Sequence, residues 1–289
     1  MTRSSLSVGT ESPLGPTPFS AALELDEVGS GCYRAELNAA WEVGGGKQHG
    51  GLLLALVTKA GLAGLAAHTG ADEVSEPLAV SGEFLRAPST GTVEMTTEVL
   101  KVGRTASVVR SVLQQDGRSI LAASVTAGRL PDVSDDASVL WTDLPPLGAE
   151  PPVEAIGTSE AKGPVPPLAS ACEVRIDPAT SQYLRKERGE PIIRGWVRPR
   201  GEQPDPLFAI LAGDILPPVL FNLGLPGWAP TVQLTAILRA RPAPGWLRLQ
   251  SSTMTIAGGW LDEDMAVIDS TGRLVCQARQ LALAPLPRG

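Results

Sequence analysis

The chain has 289 residues, 43% of them apolar, and carries a net charge of −7. That acidic balance, without a Lys/Arg cluster, excludes a nucleic-acid-binding surface, and two histidines, His49 and His68, leave too few ligands for a usual zinc site. Cys32, Cys172 and Cys276 are odd in number and far apart, which reads as buried, reduced thiols in a cytoplasmic protein rather than a disulfide framework.

The first residues, Met1-Thr2-Arg3-Ser4-Ser5, lack the apolar core of a secretory signal. Strand-like segments follow near Ala21–Val28 and Cys32–Ala39, then a glycine-rich loop from Gly44 to Gly51. The apolar stretch from Leu52 to about Ala67 is too long for a strand and predicts a helix. No apolar run is expected to reach the roughly 18–20 residues of a membrane span. Four alternating segments come next: Pro77–Arg86, Thr92–Val102, Ala106–Gln115 and Ser119–Ala127. Pro88 to Gly91, Gly103-Arg104 and Asp116-Gly117 separate them with turn chemistry. From 131 to 167 the chain is rich in Pro, Ala, Asp and Glu with little periodicity, the composition of an extended linker.

Beyond the linker the order of elements returns. Strands are predicted near Ala171–Ile176 and Pro191–Val197, with a loop through Arg200–Gln203. A helix then opens with Asp205 at its N-cap and Pro206 at its first position. Four more strands lie near Thr231–Arg239, Trp246–Thr255, Met265–Asp269 and Arg273–Leu283.

The recurrence is visible residue by residue at an offset of 155, which carries Asp116-Gly117-Arg118 onto Thr271-Gly272-Arg273. The same offset sets Trp41 on Trp196, Gly51 on Pro206, Lys59 on Asp214 and Val125 on Gln280. Each unit therefore holds strands and one apolar helix, and a helix apolar all round is buried on all sides. The expected fold is α+β, two antiparallel sheets each wrapped around a buried helix. Residues 1–130 form the first unit, 131–167 the linker and 168–289 the second unit. The second unit keeps polar groups where the first has none.

Asp214 is the one charge in the apolar stretch Leu207–Leu216. An unpaired buried carboxylate is costly, so it must be hydrogen-bonded, protonated or at a cavity mouth. Pro217 and Pro218 cannot donate to the carbonyls of Gly213 and Asp214, so the helix kinks or ends there and helps expose the carboxylate. Gln280 shares a strand face with Cys276, Ala278 and Ala282, the more core-like face, and a buried Gln needs partners. Thr231, Gln233 and Thr235 are expected on one face of their strand. His49-Gly50-Gly51 open the first helix, where unpaired N–H groups and a partial positive charge suit a thioester oxygen or a phosphate. Glycine lets a ligand approach that backbone closely.

Taken in order, Asp214-Ile215-Leu216-Pro217, the Thr-bearing strand ending in Arg241-Pro242, Trp246-Leu247, Gly272-Arg273-Leu274-Val275 and Gln280 resemble the C-terminal half of type II acyl-CoA thioesterases, members of the double-hotdog thioesterase-like superfamily. Phe84-Leu85-Arg86-Ala87-Pro88 and Gly103-Arg104 are similar to the N-terminal half of that family. The resemblance implies a double hotdog and hydrolysis of an acyl-CoA thioester by a water held between an Asp, a Gln and a Thr or Ser, with no cofactor. The Asp falls on Asp214 and the Gln on Gln280. Ungapped matching puts Val232 at the hydroxyl position, with Thr231 and Thr235 as nearby substitutes. His49, Gly50 and Gly51 are the expected substrate-binding corner, with the Gly50 or Gly51 amide polarising the carbonyl. Acyl-CoA is the implied partner, and a dimer of double hotdogs is compatible with the family. Two alternatives stay open: a non-catalytic acyl-CoA or lipid-binding hotdog, and hydratase chemistry pairing His49 with Asp214 across the units.

Overall fold

Alternation of apolar and polar residues along the strands builds one continuous 14-stranded antiparallel sheet, with a separate two-stranded ribbon beside it, and two apolar helices lie against it. The computed structural model describes residues 15–43, 45–70, 75–131, 141–158, 160, 167–225, 227 and 229–285; Gly44 of the glycine-rich loop and the Met1–Ser5 stretch lie outside them. The first half comprises α1 (Pro18–Ala22), β1 (Asp26–Gly29), β2 (Cys32–Leu37), β3 (Glu42–Val43), β4 (Lys47–Gln48), α2 (Gly50–Thr69), β5 (Glu76–Phe84), β6 (Gly91–Lys101), β7 (Ser107–Gln115) and β8 (Arg118–Gly128). The second comprises β9 (Ile156–Gly157), β10 (Cys172–Ile176), β11 (Ile192–Pro199), α3 (Pro206–Ala212), β12 (Thr231–Leu238), β13 (Leu247–Ser252), β14 (Ile256–Ala257), β15 (Trp260–Ile268) and β16 (Leu274–Leu283).

The strand order is β1-β2-β6-β7-β8-β5-β12-β16-β15-β13-β11-β10-β9, with β14 paired to β15. The two expected sheets are thus one, because β5 of the first half pairs antiparallel with β12 of the second. Uncovered edges of two separate sheets would leave backbone donors and acceptors unpaired, and this central pairing removes both edges. An ion pair reinforces the join: the Arg241 guanidinium meets Glu76 at 2.6 and 2.9 Å.

Within this frame α2 packs on β5 to β8, and α3 packs on β5, β12, β13 and β16. Residues Leu53, Leu54, Leu56 and Val57 are each no more than 2% exposed, and each such side chain contributes about 1.5–3 kcal/mol by leaving water. The helix is longer than expected, 20 residues, and by length and composition could cross a bilayer. It is mostly buried inside the sheet, which marks it as a core helix.

Four further expectations need correction. The strand expected at Ala21–Val28 is the short helix α1, opened by Pro18 at its first position, followed by β1. Trp41 and Trp196 are not equivalent. Met95 answers to Leu249 in the pairing pattern, an offset of 154, whereas Tyr33 answers to Gly195, an offset of 162. The connection from strand to helix is shorter in the second half, so Trp41 points inward against Phe19 while Trp196 packs with Trp246 and Ala155 in a separate small cluster. The stretch read as an extended linker takes part in that cluster through Leu147 and Ala155, and lends β9 to the sheet edge. Cys172 and Cys276 are buried thiols, but Cys32 is only half-buried.

Candidate functional site

Asp205 caps α3 as expected, its Oδ1 accepting the Phe208 amide at 2.7 Å. The helix ends at Ala212, earlier than the sequence pattern suggests, and Asp214 sits in the turn beyond it. The Asp214 amide already reaches back only three residues, to the Leu211 carbonyl at 3.0 Å. Pro217 and Pro218 cannot supply the next helical donors.

That turn meets the start of α2. Asp214 Oδ2 accepts the Gly51 amide at 2.7 Å, in the field of a helix N-terminus that favours negative charge. The two glycines are required by this approach. A Cβ at Gly50 would stand 2.7 Å from Asp214 Oδ2, and one at Gly51 would stand 2.8 Å from the Leu211 carbonyl oxygen. The close neighbour that Gly50-Gly51 admit is therefore the other half of the chain. The Gly51 amide, expected to polarise a substrate carbonyl, is instead engaged by Asp214.

His49 is the N-cap of α2 and is 3% exposed. Its Nδ1 accepts the Leu52 amide at 3.3 Å, and the ring is hydrogen-bonded to the Asp214 backbone. Burial pushes the imidazole down to about 4, against the opposing pull of that backbone bond, so the ring is neutral at pH 7. His49 joins the two elements without pairing with the Asp214 carboxylate, which removes the geometry that hydratase chemistry needs. Burial pushes the Asp214 carboxyl up to about 7; the Gly51 amide opposes the shift and Glu263 adds to it.

A second polar arm comes from the sheet. The Thr231 hydroxyl donates to Gln280 Oε1 at 2.7 Å, and Gln280 Nε2 donates to Glu263 Oε2 at 2.9 Å. Glu263 Oε1 accepts the Ser251 hydroxyl at 2.7 Å and the Val219 amide at 3.1 Å. Glu263 is 6% exposed, and burial pushes its carboxyl up while the hydrogen bonds from Ser251, Val219 and Gln280 hold it down.

Thr231 reaches Gln280 through a β-bulge. The register between β12 and β16 shifts between Thr231 and Gln233, and an extra residue reverses which face the chain beyond it presents. Regular alternation would put Val232 on the face of buried Leu234 and Ala236; the bulge brings Thr231 to Gln280 instead. Thr235 is separated from the cluster. Its hydroxyl bonds Ser81 at 2.9 Å and Gln233 at 2.7 Å, between residues that alternate with buried Leu234 and Ala236. The shared face expected for Thr231, Gln233 and Thr235 is broken by the bulge.

Asp214 and Gln280 make no direct hydrogen bond among the described residues. Gly213 nonetheless packs on Ala278, two residues from Gln280 along the same face; a Cβ at Gly213 would stand 2.8 Å from the Ala278 Cβ. Glu263 links the arms, and the sequence reading missed it by starting its strand at Met265. Leu261, Glu263, Met265 and Val267 are all buried at alternate positions, so a carboxylate on the inward face of a strand was the available signal.

Two surface clefts among the described residues lie elsewhere. One is lined by Glu173, Arg198 and Gln203 among others, the second by Arg86, Gln115 and Arg118. Neither is lined by Asp214 or Gln280.

Among the described residues the first half shows no such cluster at the matching positions. Burial pushes the Lys59 ammonium down, with the charges of Asp205 and Glu24 opposing the shift. Val125, opposite Gln280 in the repeat, is fully buried. Phe19 of α1 packs edge-on against both Phe208 and Trp41, and Glu202 accepts the Phe19 amide at 2.9 Å.

Family models of the acyl-CoA thioesterase N-terminal domain and C-terminal domain match residues 37–128 and 142–284. The chain is 41% identical over 269 residues to a protein of Mycobacterium tuberculosis (strain ATCC 25618 / H37Rv) named only as uncharacterized, covering 88% of this chain and 91% of that one. A solved structure of a candidate thioesterase II from Thermobifida fusca YX superposes with a TM-score of 0.80 at 32% identity, covering 93% of this chain and 98% of that one. A hotdog-fold protein from Alicyclobacillus acidocaldarius shares the fold at a TM-score of 0.74 and 18% identity, covering 93% and 98%.

Proposed function

The chain belongs to the acyl-CoA thioesterase family, and from that premise we propose that it hydrolyses an acyl-CoA thioester to a free fatty acid and CoA at a centre in its second half, 168–289. The observation that carries this reading is the Thr231–Gln280 hydrogen bond beside a carboxyl, Asp214, whose ionisation is pushed to about 7. A base poised near the operating pH combines a useful ionised fraction with real proton affinity.

In this reading Gln280 and Thr231 hold a water, and Asp214 takes its proton as the water oxygen attacks the thioester carbonyl. The tetrahedral intermediate collapses by breaking the C–S bond, and Asp214 returns the proton to the departing thiolate. With the Gly51 amide engaged, the Gly50 amide at the start of α2 is the donor for the oxyanion. Such a donor is typically worth about 10²–10³ in rate. His49 holds α2 and the Asp214 turn together, and no cofactor enters. Thr235 has no part in this proposal.

A non-catalytic acyl-CoA-binding protein is the competing reading, and its support was Val232 at the hydroxyl position. The Thr231 hydroxyl on Gln280 weighs against it. The test is release of free CoA thiol from a series of acyl-CoAs of different chain length, run beside a binding titration. Turnover of at least one chain length is expected. Tight binding across the series with no thiol released would sink the proposal.

A further inference from the structure

We propose that Glu263 is a positioning residue for this hydrolysis: one buried carboxylate holds both arms of the site, the Gln280 amide through Oε2 and the chain that follows Asp214 through the Val219 amide on Oε1. The inference rests on reading the second half as a thioesterase centre.

A glutamine amide has a donor end and an acceptor end, and the Thr231 oxygen keeps its lone pairs for the water only if the acceptor end faces Thr231. Thr231 alone does not choose between them, because a hydroxyl can donate or accept. An ionised Glu263 does choose, since it can only accept. A flipped Gln280 would set its carbonyl oxygen against the carboxylate oxygen, with a lost hydrogen bond and an electrostatic penalty in a buried site. With Nε2 held by Glu263, Oε1 is left to the Thr231 hydroxyl, and the Thr231 oxygen keeps its lone pairs for a water.

The second grip acts on Asp214. Pro217 and Pro218 connect the Asp214 turn to Val219 with fixed φ, so anchoring the Val219 amide on β15 restrains where that turn sits. Ser251 on β13 supplies the third donor to Glu263. Among the described residues the side-chain partners of Glu263 are thus a site residue, a sheet residue and the chain that follows Asp214. The groups that act on the Asp214 charge are the Gly51 amide from α2 and Glu263 from β15; neutral His49, the α2 N-cap, bonds the Asp214 backbone, and Asp262 is the charged neighbour acting on Glu263 itself.

Glu263→Gln keeps the size and removes the charge. Its single carbonyl oxygen cannot accept on both sides, so one grip is lost. The expected result is a fall in kcat of about 10–10²-fold, the size a misplaced reacting group produces, with KM little changed. The acid limb of kcat/KM should also move to lower pH, because a negative charge no longer opposes Asp214 ionisation. Ser251→Ala, which weakens the same carboxylate without replacing it, should move that limb in the same direction by less. It supplies the answer if Glu263→Gln does not fold. Parental kcat and an unmoved limb in whichever variant folds would overturn the inference. Asp214→Asn assayed in parallel separates the two failures. A parent that releases no CoA defeats the thioesterase reading, whereas an active parent with an inactive Asp214→Asn and a parental Glu263→Gln defeats only the role given to Glu263.

Discussion

The two halves share a sheet, a buried helix and the same strand sequence, yet opposite groups occupy their helix junctions. In the second-half centre a carboxylate, Asp214, meets the amide end of α2, where the dipole welcomes it. In the first half a cation, Lys59, lies in the electrostatic field of the Asp205 carboxylate that caps α3. The first arrangement keeps a carboxyl whose ionisation burial resists; in the second, burial lowers the Lys59 pKa and the Asp205 charge offsets only part of that cost. A duplicated fold needs only one reactive junction, and the other is free to become an internal joint.

The largest effect that sharpens this contrast is expected from Asp214→Asn, which should lower acyl-CoA hydrolysis by on the order of 10²–10⁴ with the fold retained by circular dichroism. Its counterpart, Lys59→Met, should stay within about twofold of the parental rate, the range of changes outside the reacting centre. A large loss in Lys59→Met would put chemistry in the first half.

Next in size are Gln280→Ala and Thr231→Val, each expected to cost about 10–10²-fold in kcat. Because they act through one hydrogen bond, the double variant should be no worse than the worse single one. Additive losses would mean that the two side chains act independently.

Gly51→Ala is expected to destabilise the chain by about 1–3 kcal/mol, since its Cβ would overlap backbone that cannot move freely. Gly61→Ala in the first half meets only side chains, Val125 at 3.2 Å and Ser111 at 3.8 Å, and should cost less. Equal shifts in Tm would show that the helix junction is no tighter than the ordinary core.

The smallest effect is one of sign. Asp214 has a folded-state value raised from 3.8 to about 7, so its contribution is fully present below pH 4 and is lost as pH rises through about 7. Asp214→Asn should therefore melt above the parent at pH 8 and level with it near pH 4. A lower Tm for the variant at pH 8 would mean that the ionised carboxylate stabilises the junction.

Much of this was legible in the sequence. β5 to β8, β12 and β16 follow from alternation and turn residues, the Asp205 cap from its Pro206 neighbour, and the inward face of Gln280 from the small residues beside it. What escaped has physical causes. A β-bulge leaves no local mark in Thr231-Val232-Gln233, so Thr231 and Thr235 could not be told apart. Glu263 was hidden because Asp262 and Asp264 on either side make that stretch look like a solvated turn. The Trp41–Trp196 match failed because equal spacing was assumed across connections of different length. The joining of two sheets into one depends on contacts between the halves that no pattern within either can report.

The most direct test of a single Asp214-centred reaction is the pH dependence of kcat/KM for acyl-CoA hydrolysis by the parent and by Asp214→Asn. Activity of the parent should rise as pH passes through about 7, and the residual activity of the variant should lack that rise. A parental profile that is flat down to pH 5, or the same limb persisting in Asp214→Asn, would contradict the assignment of Asp214 as the base and with it the contrast between the halves.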